Sequence, residues 1–389
     1  MDTVGWIIRQ NFSKFLNSER SERGSVSTYR SVFVASLVGL AVTLFVTTKG
    51  FRGVELGLGW VVLGVAFALG GGKLKHNLTF AGLVILLVSL YIAVPGSIWW
   101  GRGNWEVTLY HTVWMTPFLL LYLIDKGEEV FLWLIPLLVL HSGVLVYQEV
   151  VGKPGRQMGL LDNPNPAGAL LAIGTIYILN TRFKWFAPLL AAGLVFTGSR
   201  SAFAVFLLVF VGLFLSRFLV KHKIDWKPQL LTVLVVGLIL LVNTAGEDLS
   251  RGTEPWTLEM GSKAIKDLGI RLEVTDSPSF LPKGITYSWG LHSLPERISV
   301  ELGITAAVVW VFITLYSLVR KPRYTESWWI LLTIALLSIS EYSVWLGPLA
   351  ALWWLTIGVR SRYWMRGKSG KDLNSKRYHG TQQTVSNKR

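Results

Sequence analysis

Long apolar runs separated by short polar breaks dominate the chain from Ser31 to Val359. A helix crosses the hydrocarbon core of a bilayer with about 17–25 mostly apolar residues. Ser31–Thr48, Leu56–Gly72, Leu78–Trp100, Val107–Ile124 and Val130–Gln148 meet that length, as do Pro228–Thr244, Ile298–Val319 and Tyr342–Val359. Pro166–Thr181, Trp185–Gly198, Ser201–Ser216 and Ser327–Ser340 are shorter, and need borders in the headgroup zone or cover from neighbouring helices. The pattern predicts an all-α, polytopic transmembrane bundle of about twelve spans. A cytoplasmic segment (1–30) precedes the spanning region (31–359), and a basic cytoplasmic tail (360–389) follows it. Residues 1–30 contain no short apolar core followed by a small-residue cleavage site, so no removable signal peptide is expected.

Charge orients the bundle. About two thirds of the 38 Lys and Arg residues fall in the segments that an inside N-terminus would place inside, which by the positive-inside rule puts both termini in the cytoplasm. One loop then stands apart. Residues 245–297, between the ninth and tenth spans, are rich in Gly, Pro, Ser and charge and are placed outside; Trp256–Leu268 suits a surface helix, while Pro278, Pro282 and Gly284 favour irregular chain.

Composition agrees with the pattern. With 51% hydrophobic and 16% charged residues, the chain has too many apolar side chains for one water-soluble core. Its aromatic content, including 18 Trp, suits a surface that meets lipid headgroups. The net charge of +15 does not point to nucleic acid, because the basic residues sit in clusters between apolar runs and not along one soluble face. No Cys is present, which excludes disulfide and thiol chemistry.

Three polar features are candidates for chemistry, and the topology puts all three on the outer side. The first is Asp162-Asn163-Pro164-Asn165-Pro166-Ala167-Gly168 before the sixth span. It reads either as a helix-starting turn or as amide groups at a helix N-terminus that meet an anion or a sugar hydroxyl. The second is Thr197-Gly198-Ser199-Arg200-Ser201-Ala202. Arg200, flanked by membrane, either snorkels to headgroups or presents its planar fork to phosphate. The third is His292 in Ser288-Trp289-Gly290-Leu291-His292-Ser293, the one His of six that falls in an outer loop. It is either an ordinary surface residue or a base able to accept a proton near neutral pH. His111 and His141 fall within spans. Arg251, Lys263, Lys266, Arg271 and Arg297 could add charge to a phosphate site or be solvated, and Glu296, Glu301 and Glu341 could orient His292 or pair with an Arg. There is no glycine-rich nucleotide loop, no paired-His zinc motif and no Ser in a glycine elbow, so no cofactor or metal is expected.

Taken together, these residues resemble the O-antigen ligase and O-antigen polymerase family of bacterial membrane glycosyltransferases. The resemblance rests on Asn163-Pro164-Asn165 before one span and Thr197-Gly198-Ser199-Arg200 before another. A long outer loop then ends in His292-Ser293, with Gly303 leading into the next span. It covers roughly Gly159–Val319; the sequence departs from the pattern at Ala306 and in the spacing of Arg251 and Trp256. The resemblance implies a bacterial cytoplasmic-membrane enzyme that is metal-independent and inverting. Its donor would be a glycan on undecaprenyl diphosphate, and its acceptor a hydroxyl of lipid A core or of a growing polysaccharide. His292 would be the catalytic base, Arg200 and Arg251 would hold the diphosphate, and Asn163, Asn165, Ser199 and Ser293 would support them. Membrane lipids would be its other partners. The alternative is a transporter or flippase of lipid-linked glycans, which shares the spans but calls for charges deep within them.

Overall fold

The computed structural model describes residues 25–47, 53–70, 78–100, 104–124, 128–152, 156–161, 163–219, 226–245, 280–285, 293–320, 324–339 and 349–361. Among them the chain is all-helical, with no strand. In order come α1 (Ser25–Thr47), α2 (Gly53–Gly70), α3 (Leu78–Trp100), α4 (Trp105–Met115) and α5 (Phe118–Leu123). A 3-10 segment (Glu128–Leu134) runs directly into α6 (Ile135–Val150), followed by α7 (Pro164–Leu179) and α8 (Ala187–Phe196). Then come α9 (Arg200–Leu219), α10 (Trp226–Ala245), α11 (Leu294–Glu301), α12 (Ile304–Val319), α13 (Glu326–Leu337) and a last helix, α14, over 350–361.

Among the described residues, three continuous helical runs, Leu78–Trp99, Glu128–Val150 and Arg200–Arg217, are long and apolar enough to cross a membrane, and several shorter apolar helices accompany them. The outer surfaces of α9 and α10 carry exposed Leu208, Val211, Leu234, Leu238 and Leu241, as a surface facing lipid requires. These features are those of a multi-pass membrane protein.

Helix α7 is the centre of the bundle. Every residue from Pro166 to Leu179 is buried, and α6, α8, α9 and α13 pack around it. Helices in lipid gain little from hydrophobic burial against each other, so they associate where small residues allow close backbone approach. α7 supplies such residues: a Cβ at Gly174 would lie 2.6 Å from Leu138 Cδ2, and one at Gly168 would lie 2.6 Å from Ser199 Cβ. At its far end, Arg217 Nη2 donates to Leu179 O (3.1 Å) and to Asn180 Oδ1 (2.9 Å). α7 and α9 are thus tied first turn to first turn and last turn to last turn, which makes them parallel.

Two expected spans are broken. The run Val107–Ile124 divides at Thr116-Pro117 into α4 and α5, since Pro117 supplies no backbone donor. The run Ile298–Val319 divides at Leu302-Gly303, where Gly303 takes φ 91° and ψ 156°. That backbone region belongs essentially to glycine, and it separates the short α11 from α12. The carbonyl of Glu301 at the end of α11 is capped from outside its own helix: Lys283 N–H and Gly284 N–H both donate to it, at 2.9 and 3.1 Å. Ile285 N–H donates in turn to Thr108 Oγ1 at 2.9 Å. Residues 280–285 of the long loop are therefore pinned between α4 and α11. Gly303→Ala should destabilise the protein by about 1–3 kcal/mol, since Ala must adopt the strained φ or reseat α12. The midpoint of thermal unfolding in detergent measures this.

The final helix runs two residues past the expected border at Val359, to residue 361, and Arg360 is buried. Its guanidinium donates to Ser317 O (2.8 Å), Thr325 Oγ1 (3.2 Å) and Arg320 O (2.6 Å), which closes the end of α12 against the start of α13.

Candidate functional site

The Asn-Pro-Asn segment starts α7, with Asn163 as its N-cap in extended conformation. Asn163 Oδ1 accepts from Asn165 N–H at 2.9 Å, and Asn163 O accepts from Ala167 N–H at 3.2 Å. Pro164 and Pro166 have no N–H. The first turn of α7 thus has its backbone donors either used or removed, so of the two readings of this segment the helix-starting turn fits its main chain. The polar capacity of this end lies in side chains.

The Thr197-Gly198-Ser199-Arg200 segment is the turn between α8 and α9. Gly198 takes φ 59°, a left-handed conformation favourable to glycine. Ser199 N–H donates to Thr197 Oγ1 at 3.2 Å and Ser199 O accepts from Phe203 N–H at 3.0 Å, so the turn feeds directly into α9. Arg200 is the first residue of α9 and half-buried. Ser199 is fully buried, and its hydroxyl has no hydrogen-bond partner among the described residues.

The structure brings these two segments together. The absent side chain of Gly168 leaves the room that Ser199 and Thr197 fill: a Cβ there would lie 2.6 Å from Ser199 Cβ and 2.9 Å from Thr197 Oγ1. A residue that the motif pattern overlooked completes the junction. Arg156 donates from Nε to Thr197 O (3.1 Å) and from Nη2 to Asn165 Oδ1 (2.6 Å), binding both segments with one planar fork. A Cβ at Gly198 would lie 3.2 Å from Arg156 Cγ, so the glycine also makes room for this side chain.

Arg156 is held by a strap, residues 156–161, laid between α6 and α8. Gln157 N–H donates to Phe196 O (3.2 Å), and Gln157 Nε2 donates to Glu149 Oε2 (3.2 Å). Gly159 N–H donates to Gln148 Oε1 (3.0 Å), and Leu160 N–H donates to His141 Nδ1 (3.0 Å). Because His141 Nδ1 accepts, the neutral ring carries its proton on Nε2. The signal available in the sequence was an Arg in a Gly/Pro-rich stretch seven residues before Asn163. Nothing local marked its partners.

The third segment is described only from Ser293. His292 and Arg251 lie outside the described residues, as do Asp162, Lys263, Lys266, Arg271 and Glu341. Ser293 is the N-cap of α11 and buried, and its side chain makes no capping bond. Leu294 N–H donates to Ser338 O at 2.7 Å. Ser338 closes α13, and α13 packs against both α7 and α9, the helices that the other two segments start. Arg297, considered above as a phosphate ligand or a solvated charge, is instead buried and paired with Glu301 across one helical turn, Nε to Oε1 at 3.1 Å. Among the described residues no three His, Asp or Glu side chains gather as a metal ion would require. Compared with known proteins, the chain matches no family model, no curated protein and no solved structure.

Proposed function

We propose that the protein is a membrane glycosyltransferase of the O-antigen ligase or polymerase kind, acting at the outer face of a bacterial cytoplasmic membrane through about twelve spans with both termini inside. The observation that carries this reading is the double hydrogen bond of Arg156, which joins Asn165 to Thr197 and sets Asn163, Asn165, Ser199 and Arg200 at one end of two parallel helices. Two of the three segments that suggested the chemistry are thereby neighbours, although Asn165 and Thr197 lie 32 positions apart in the sequence.

In this reading the donor is a glycan on undecaprenyl diphosphate, and the acceptor is a hydroxyl of lipid A core or of a growing polysaccharide. His292 removes the acceptor's hydroxyl proton. The acceptor oxygen attacks the anomeric carbon and forms the new glycosidic bond. The bond from that carbon to the phosphate oxygen breaks, and undecaprenyl diphosphate leaves with the electron pair, inverting the centre. Arg200, with Arg251, offsets the charge gathering on the leaving diphosphate.

The rival reading, a transporter of lipid-linked glycans, draws on the buried Arg297–Glu301 pair, since charges inside a bundle often line a path. That pair, however, lies within one short helix, Arg297 donating to Glu301 one turn away. The test is to supply the purified protein with lipid-linked repeat units, with and without core lipid. Longer glycans on the carrier identify a polymerase, and transfer to core lipid identifies a ligase. Movement of the lipid-linked glycan across vesicles without any new glycosidic bond would overturn the transferase reading.

A further inference from the structure

The bonds around Arg156 dictate which way two amide side chains face. Guanidinium nitrogens only donate, so the Asn165 atom that meets Arg156 Nη2 at 2.6 Å is the carbonyl oxygen, and its NH2 is turned away. Asn163 is set in the same manner: its oxygen accepts from Asn165 N–H, a backbone donor, so its NH2 also faces elsewhere. Both acceptors are engaged, and neither NH2 has a partner among the described residues. Asn163 is exposed and Asn165 half-buried, so both groups are within reach of a ligand.

The backbone offers nothing that competes. Pro164 and Pro166 lack N–H groups, and the N–H groups of Asn165 and Ala167 are satisfied by Asn163. A second observation points to the same place. The Ser199 hydroxyl is completely buried and without a hydrogen bond, and it faces the first turns of α7, 3.1 Å from where a Cβ of Gly168 would be. Leaving such a hydroxyl unpaired is costly, and it can donate to an acceptor brought to this end of α7.

We propose that Asn163 and Asn165 present a donor-only edge that grips phosphoryl oxygens of a diphosphate, and that Arg156 is the positioning residue that holds Asn165 in this sense. Sugar hydroxyls both donate and accept and would be served as well by an edge of mixed polarity. Phosphoryl oxygens at neutral pH only accept, and an edge with only donors facing outward matches them. The proposal rests on the transferase reading for the choice of a lipid diphosphate, but its test is separate from catalysis.

The decisive variant is Asn165→Asp. An aspartate keeps the oxygen that Arg156 binds and makes that bond charge-assisted, so the junction survives, while the outward NH2 becomes an anionic oxygen. Full-length protein in lipid nanodiscs is titrated with undecaprenyl diphosphate, and inorganic pyrophosphate serves as competitor. N165D is expected to bind undecaprenyl diphosphate at least roughly tenfold more weakly than wild type, with an unfolding temperature equal or higher. Competition by pyrophosphate would show that the headgroup alone is recognised. Absence of competition beside the same N165D loss would show that the prenyl tail is needed as well. Both support the donor edge.

Wild-type affinity in N165D overturns the donor edge and leaves the roles of His292 and Arg200 standing. Wild-type protein that binds neither probe overturns both. Arg156 is tested through Asn165: in an N165A background, R156Q should weaken binding by less than about twofold further, because the amide it orients is gone. A full additional loss, as large as that of R156Q alone, would overturn its positioning role.

Discussion

His292→Ala is expected to lower the rate of glycan transfer by roughly 10²–10⁴-fold, the usual contribution of a positioned general base, while leaving the amount of protein in the membrane unchanged. Arg200→Ala should also be damaging, since it removes charge stabilisation from the leaving diphosphate, where a single well-placed donor is worth about 10²–10³-fold. The two differ in kind. His292→Ala should retain binding of undecaprenyl diphosphate, because the base acts on the acceptor. Arg200→Ala should lose binding and turnover together. Transfer assays in membranes, paired with a titration of the lipid diphosphate, separate the two effects. Full activity in either variant would remove its residue from the mechanism.

The second large effect concerns stability. Arg297 and Glu301 are 4% and 0% exposed, one turn apart on α11. Removing one partner of a buried ion pair takes from the other its opposite charge one turn away, in a medium of low dielectric constant, at a cost of about 3–5 kcal/mol. Glu301→Leu should therefore lose most of the folded protein recovered in detergent. The backbone carbonyl of Glu301, which holds Lys283 and Gly284, survives the substitution, so the loss reports on the charge and not on the pinned loop. Arg297→Leu combined with Glu301→Leu should recover a good part of the stability, since removing both charges leaves none unpaired. Fluorescence-detected size-exclusion profiles over a temperature ramp measure all three variants. A double variant as unstable as Glu301→Leu alone would show that the pair has a role beyond mutual neutralisation.

Both predictions concern residues that could be named in the sequence, but their partners could not all be read there. His292 and Arg200 stood out because a base and a cation beside long apolar runs are unusual. Arg297 and Glu301 were equally visible as charges four apart, yet the same spacing suits a solvated helix face. Only burial of α11 makes them a pair that must stay together. Arg156 was harder still. Its two partners lie nine and forty-one positions away, and neither offset marks any local structure.

The sequence by itself determined that the chain is a bundle of apolar helices, because burying backbone polar groups in lipid leaves few alternatives, and a run of apolar residues announces its helix without reference to any other. It also carries the residues at the breaks: Pro117 and Gly303 stand inside runs that are continuous in hydropathy. Tertiary structure decided what those helices do to each other. It made α7 and α9 parallel, placed Asn165 beside Thr197 through Arg156, and buried Arg297 and Arg360 in bonds within the protein. The physical reason is one of range. Helix formation in an apolar medium is satisfied within four residues, whereas the sense of an amide or the partner of a guanidinium depends on whichever group packing brings within about 3 Å.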